Sequence, residues 1–249
     1  MQLLKDLEVG GTKIQFREDF EEGDSIQVKV LKKDLRREVM SEVFRFEVSK
    51  GKQILRGANW LLQRERKKRY TLFFSDRVPP QVAIENTLRF VLAQECPERG
   101  GILLHSSSAF REEAGICFIG KSGSGKTTIL TLLKQFKPLN DDLNVLFLSD
   151  EKPFIIPLPI LSRGVFYPAV KADALFILNK SKRDEIKKMR KEDGLTEIIS
   201  CLPFLHFSPS AFKKGIEVLE KILEYVPLYR LYFSLNGKVE EEICKVLRI

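Results

Sequence analysis

Gly120 to Thr128 reads G-K-S-G-S-G-K-T-T and has the chemistry of a phosphate cradle. It fits G-x-x-x-x-G-K-[ST], with an apolar run, Ile116 to Ile119, before it and Ile129 to Leu133 after it. Glycines let a backbone wrap closely and turn its N–H groups onto phosphate oxygens. The helix that follows adds its positive N-terminal end. Gly120, Ser122, Gly123, Ser124, Gly125, Lys126, Thr127 and Thr128 are therefore expected to hold a nucleotide's phosphates. Lys126 would reach the β- and γ-phosphates, and the Thr127 hydroxyl would hold Mg²⁺. The bland alternative is a glycine-rich turn followed by an unremarkable lysine. The match at every fixed position, with the correct flanks, argues against it.

A second feature, Asp141-Asp142, lies just beyond the helix that follows the loop. Near a bound nucleotide, two adjacent carboxylates can divide their work. One can coordinate Mg²⁺, and the other can accept a proton from an attacking hydroxyl. Asn-Asp-Asp is also common in solvated turns. Asp150-Glu151, after the apolar run Leu146 to Leu148, is a rival acidic pair that reads as a strand-end loop. His105 ends the apolar stretch Gly101 to Leu104, where an imidazole can position a carboxylate. His206, the other of the two histidines, reads as packing. Arg163, beside Gly164 in a proline-rich connection, is a candidate for gripping transferred phosphoryl charge or a substrate carboxylate.

The elements that must position these residues follow from periodicity. Residues 1–78 read as a β-rich region, mostly antiparallel, with strands at Ser25–Leu31, Glu42–Val48 and Tyr70–Phe74. Residues 79–249 read as an α/β core around the loop. Pro79-Pro80 opens a helix with a stripe at Val82, Ile84, Leu88, Val91 and Leu92. Gly101 to His105 is a strand, and Ser106 to Glu113 a polar loop. A helix runs from the phosphate loop to about Phe136, ended by Pro138. Val145 to Leu148 is a strand, and Pro153, Pro157 and Pro159 mark an irregular connection. Ala174 to Leu178 is a buried strand. Ser208 or Ser210 caps a helix over 211–225, a strand spans Tyr229 to Leu235, Asn236-Gly237 turns, and a helix covers Val239 to Leu247.

The 249 residues suit one large domain, or a core with a smaller partner. Met1-Gln2-Leu3-Leu4 soon meets charge, so no secretory leader is expected, and no apolar run is long enough to span a bilayer. The four cysteines, Cys96, Cys117, Cys201 and Cys244, are scattered without a C-x-x-C pair, which predicts a cytoplasmic protein free of disulfides and zinc. The net charge is +8, with basic runs at Arg64–Arg69 and Lys180–Lys191. Both runs read as solvated faces, the second as an exposed helix, rather than as a nucleic-acid surface.

Taken together, Leu103-Leu104-His105, Gly120 to Thr127 and Leu139-Asn140-Asp141-Asp142 resemble the HPr kinase-related group, and in particular the serine kinases encoded beside lasso-peptide and other modified-peptide clusters. The match is continuous over roughly residues 100–150, and the order of elements around Pro227–Leu231 extends it more weakly. The resemblance implies a P-loop kinase core of phosphoenolpyruvate-carboxykinase type using ATP and Mg²⁺. It also implies roles: Asp141 as general base for a serine hydroxyl, His105 assisting that first aspartate, Asp142 and Thr127 serving Mg²⁺, and Lys126 holding the phosphates. The implied acceptor is the C-terminal region of a ribosomal precursor peptide or a small serine-containing protein. No nucleic acid or membrane partner is expected, and homo-oligomerisation is left open. The alternative class is a nucleotide-dependent binding module without phosphoacceptor chemistry, with nucleic acid as its partner.

Overall fold

A computed structural model describes residues 6–9, 12–17, 26–32, 45–49, 52–57, 60–66, 68–75, 77, 79–158, 168–235 and 238–249. The molecule is mixed α/β, with two sheets and five α-helices among the described residues. One compact unit takes in Met1–Val91, and another takes in Leu92–Pro159 with Val165–Ile249. Among the described residues no helix is long and apolar enough to cross a membrane.

The first unit holds strands β1 (Asp6–Val9), β2 (Thr12–Arg17), β3 (Ile26–Lys32), β4 (Arg45–Ser49), β5 (Lys52–Gly57), β6 (Trp60–Arg66) and β7 (Arg69–Phe74). Their order in the sheet is β1-β2-β3-β7-β6-β5-β4. Most pairings are antiparallel, as the alternating pattern predicts, but β3 runs parallel to both β2 and β7. Val28, Tyr70 and Leu72 are fully buried, so the alternation does mark the inner face. The run Arg64–Arg69 crosses the hairpin from β6 to β7. There Arg64 lies over the Tyr70 ring and donates to Gln53 Oε1 at 3.1 Å.

Helix α1 (Pro80–Glu95) follows. Of its predicted stripe, Ile84, Leu88, Val91 and Leu92 are buried and Val82 is exposed. The second unit then builds strands β8 (Gly101–Arg111), β9 (Ala114–Ile119), β10 (Lys137–Asn140), β11 (Leu143–Ser149), β12 (Lys152–Pro157), β13 (Val170–Lys180), β14 (Glu185–Lys188) and β15 (Leu228–Phe233). Its helices are α2 (Lys126–Leu132), α3 (Lys191–Ile199), α4 (Pro209–Tyr225) and α5 (Val239–Leu247). The strand order is β10-β8-β11-β12-β13-β15-β14, with β9 joining β8 to β13.

Two long strands change partners along their length. β8 pairs with β11 through His105 and with β9 from Ser106 onward. β13 pairs with β12 at Val170-Lys171, with β9 from Ala172 to Ile177, and with β15 from Leu175 to Lys180. The pairings β8–β11–β12–β13–β9–β8 therefore close a circuit. β9, β13 and β15 run parallel, so their carboxyl ends share one edge. Helix α4 covers one apolar cluster with Leu219 and Ile222, while α2 and α5 bury Ile129 and Ile243 in another.

Several sequence expectations change here. Ser106 to Arg111 is strand, not polar loop: Ser106, Ser107 and Ser108 are wholly buried because each hydroxyl has a partner. Helix α2 stops at Leu132, before Pro138, which lies in the edge strand β10, where a missing N–H is tolerated. The connection around Pro153 and Pro157 is strand β12, paired with β11; both prolines fall outside the short stretch that also pairs with β13. The run Lys180–Lys191 is no helix. It is the end of β13, a turn, strand β14 at the sheet edge, and the first residue of α3. Ser208, rather than Ser210, caps α4, its Oγ accepting from Ala211 N at 3.4 Å. Arg163 and Asn236-Gly237 lie outside the described residues.

Candidate functional site

One position on β8 gathers the predicted chemistry. Ser106 pairs with Ile119, the last residue of β9, and Gly120 opens the loop immediately after it. His105 pairs with Leu143, the first residue of β11, and Asp142 immediately precedes it. The backbone N–H of Ser106 donates to Asp142 O at 3.0 Å, and that of His105 to Cys201 O at 2.8 Å. The loop and the two aspartates thus leave the sheet at one crossing, although the helix and β10 separate them in sequence.

A cavity of about 410 Å³ opens at this crossing. It is lined by His105, Ser122, Gly123, Gly125, Lys126, Thr127, Thr128, Asp141, Asp142 and Lys180. Of the sequence-predicted residues, Gly120 and Ser124 sit on the far side of the loop. They line a second cavity of about 360 Å³ with Lys121 and with Glu197 and Cys201, which lie on or just past α3.

The loop has the backbone that its glycines predict. Gly123 has φ +78°, and a Cβ there would meet nothing within 4 Å, so open space rather than packing lies beside it. Gly125 has φ +100°, and a Cβ there would strike Phe233 Cζ at 2.6 Å. Lys126 is 6% exposed, and its Nζ donates to Gly120 O at 2.7 Å and Lys121 O at 3.1 Å. Its ammonium is therefore drawn across the start of the loop. Burial pushes its pKa below the ordinary lysine value, partly opposed by Cys201 and Asp142. Behind it, the buried Ser107 hydroxyl donates to Lys126 O at 3.1 Å, fixing the first residue of α2 to β8.

The acidic side differs from the expectation in one respect. His105 Nε2 lies 3.2 Å from Asp142 Oδ1, so the imidazole meets the second aspartate rather than the first. The cause is register: pairing of His105 with Leu143 places the neighbouring Asp142 beside it. Asp141 is exposed and has no hydrogen bond or ion pair among the described residues. Beneath the pair, Asn140 Oδ1 accepts from Asp142 N at 2.9 Å, and Asn140 Nδ2 donates to Leu158 O at 2.7 Å. Asn144 then ties β11 to β8, donating to Ser106 O at 2.8 Å and accepting from the Ser108 hydroxyl at 2.7 Å.

The donor set fits a magnesium–nucleotide pair. Among the described residues no three His, Cys, Asp or Glu side chains gather to hold a metal by themselves. Magnesium commonly takes one or two protein ligands and completes its shell with phosphates and water. Thr127 and Asp142, both lining the cavity, supply that kind of set.

The remaining candidates fall elsewhere. Asp150 and Glu151 have φ 48° and 61° and form the two-residue turn between β11 and β12, as a type I′ hairpin requires. β11 separates them from Asp142 by about 26 Å at the usual rise of a strand. His206 is exposed, with its ring 4.1 Å from that of Phe207. The four cysteines are free. Sequence reasoning missed Lys180, hidden in a basic run, and Ser107 and Asn144, which only pairing across strands reveals. Comparison with known protein families and with curated proteins finds no match to this chain.

Proposed function

We propose that this protein is an ATP-dependent serine kinase with a P-loop core of the phosphoenolpyruvate-carboxykinase type. The observation that supports this reading best is the meeting of Lys126, Thr127, His105, Asp141 and Asp142 around one cavity at the carboxyl end of β9. A phosphate cradle alone binds; a cradle that shares its cavity with an exposed carboxylate can also take a proton.

In this reading the loop amides and Lys126 hold the donor's phosphates. Asp142, oriented by His105, and Thr127 would hold the metal. Magnesium held by these two side chains would supply positive charge that offsets the charge on the phosphates. His105 therefore serves the metal-holding carboxylate, in place of the base-assisting role that the resemblance implies. Asp141, with no competing partner among the described residues, takes the proton of a serine hydroxyl. The hydroxyl oxygen bonds to the γ-phosphorus as the bond from that phosphorus to the β–γ bridging oxygen breaks, and ADP leaves. The acceptor we favour is a serine in the C-terminal region of a ribosomal precursor peptide.

The test separates the two carboxylates. D141N should bind Mg²⁺-ATP with wild-type affinity and lose transfer by about a hundredfold or more, the scale of general-base catalysis. D142N should weaken the response to Mg²⁺ itself. Transfer by D141N at the wild-type rate would remove Asp141 from the base role. Nucleotide binding with no transfer to any hydroxyl would favour the binding-module alternative.

A further inference from the structure

We propose that Lys180 is a second phosphate-binding cation of this site, holding the donor's phosphate chain from the β13 side. The inference rests on the reading of the cavity as a nucleotide site and adds a residue that no motif in the sequence marks. β13 lies beside β9 in parallel, with Ile177 paired to Ile119, so Lys180 stands three residues beyond the level of Ile119, where β9 ends and the phosphate loop follows. It lines the same cavity as Lys126, Thr127, Asp141 and Asp142. Its stem runs against the loop: a Cβ built on Gly125 would lie 3.5 Å from Lys180 Cε. Lys126 reaches the opposite end of the loop, at the Gly120 and Lys121 carbonyls. The two ammonium groups therefore flank the cradle instead of duplicating each other.

Among the described residues nothing else accounts for the charge of Lys180. It is exposed and has no hydrogen bond or ion pair among the described residues. The turn that follows it is fixed independently of its side chain: Ser181 N donates to Phe233 O at 2.9 Å, Arg183 N to Ser181 Oγ at 3.2 Å, and Ser234 N to Asp184 Oδ1 at 2.6 Å. Lys180 is thus delivered by a strand end whose following turn is fixed by three hydrogen bonds. A lysine so placed supplies a point charge for the donor's phosphates beside the first turn of α2, where Thr127 and Thr128 lie.

The test compares the full chain with K180M, K180R and K182M. Lys182 is an exposed lysine on the same turn that does not line the cavity. Calorimetric titration with Mg²⁺-ATP and, separately, with inorganic tripolyphosphate should show K180M weakened about ten- to hundredfold toward both ligands, the scale of a charge-assisted contact. K180R should recover part of that loss, and K182M should bind as wild type. All variants should melt within about a degree or two of the wild-type temperature, since the Lys180 ammonium makes no hydrogen bond or ion pair among the described residues. Wild-type affinity in K180M, or equal losses in K180M and K182M, would overturn the assignment. Failure of the wild-type chain itself to bind Mg²⁺-ATP would instead defeat the nucleotide reading on which it rests.

Discussion

At the scale of single residues, the site separates groups that act from groups that hold. Asp141 is exposed and without a hydrogen bond or ion pair among the described residues, while Asp142 meets His105. That contact is partly open to water, so its value is in orientation more than in stability. Cys117 belongs to the holding class. It sits on β9 just before the loop, is wholly buried, and burial pushes its thiol up from 9.0 to about 12, with the Ser106 hydrogen bond pulling weakly the other way. In the unfolded chain the same thiol ionises near its ordinary value. Between those two values the folded state keeps a proton that the unfolded state has released, so its contribution to stability is complete below pH 9.0 and is lost as pH rises toward about 12. Urea unfolding measured at alkaline pH should therefore show stability falling with a slope of up to about 1.4 kcal/mol per pH unit from this residue. C117A should flatten that slope. An unchanged slope would mean that the thiol is not shielded on β9.

At the scale of elements, the site depends on β8 changing partners at His105 and Ser106. Three buried serines and Asn144 hold that crossing. N144A would leave the Ser106 carbonyl and the Ser108 hydroxyl without this partner in the interior. It should cost about 2–3 kcal/mol in denaturant unfolding, the expected penalty for stranded buried polar groups, and lower phosphate transfer by loosening Asp142. Loss of stability without loss of transfer would uncouple the crossing from the site. The same elements mark how far the sequence was legible. The loop and the paired aspartates stood out by residue type and spacing, and the structure brings them to one cavity. The β8 extension did not stand out: Ser106 to Ser108 look like loop residues until their strand partners are known. Strand β12 was hidden by Pro153 and Pro157, which disfavour strand locally but cost little where β13 does not need their N–H groups. Register, too, decided which aspartate His105 would meet, and spacing along the chain does not encode register.

At the scale of the molecule, the net charge of +8 is accounted for in part by an edge. β14 ends the second sheet, with Lys187 and Lys188 exposed along it and Lys187 placed over the Tyr232 ring. Lysines on an edge strand discourage pairing with another chain. K187V/K188V should therefore raise the self-associated fraction in sedimentation velocity, while the wild-type chain under the same conditions should not change. Equal sedimentation of the two would assign those lysines to some other role.

The central claim is that the cavity at the end of β9 moves a phosphoryl group onto a serine. Its most direct test is mass spectrometry of serine-containing precursor-type peptides incubated with the full chain, ATP and Mg²⁺, with D141N in parallel. The account predicts a phosphoserine-bearing peptide with the wild-type chain and none above background with D141N, although both bind the nucleotide. Phosphopeptide formed equally by D141N, or nucleotide bound by the wild-type chain with no peptide ever phosphorylated, would contradict it.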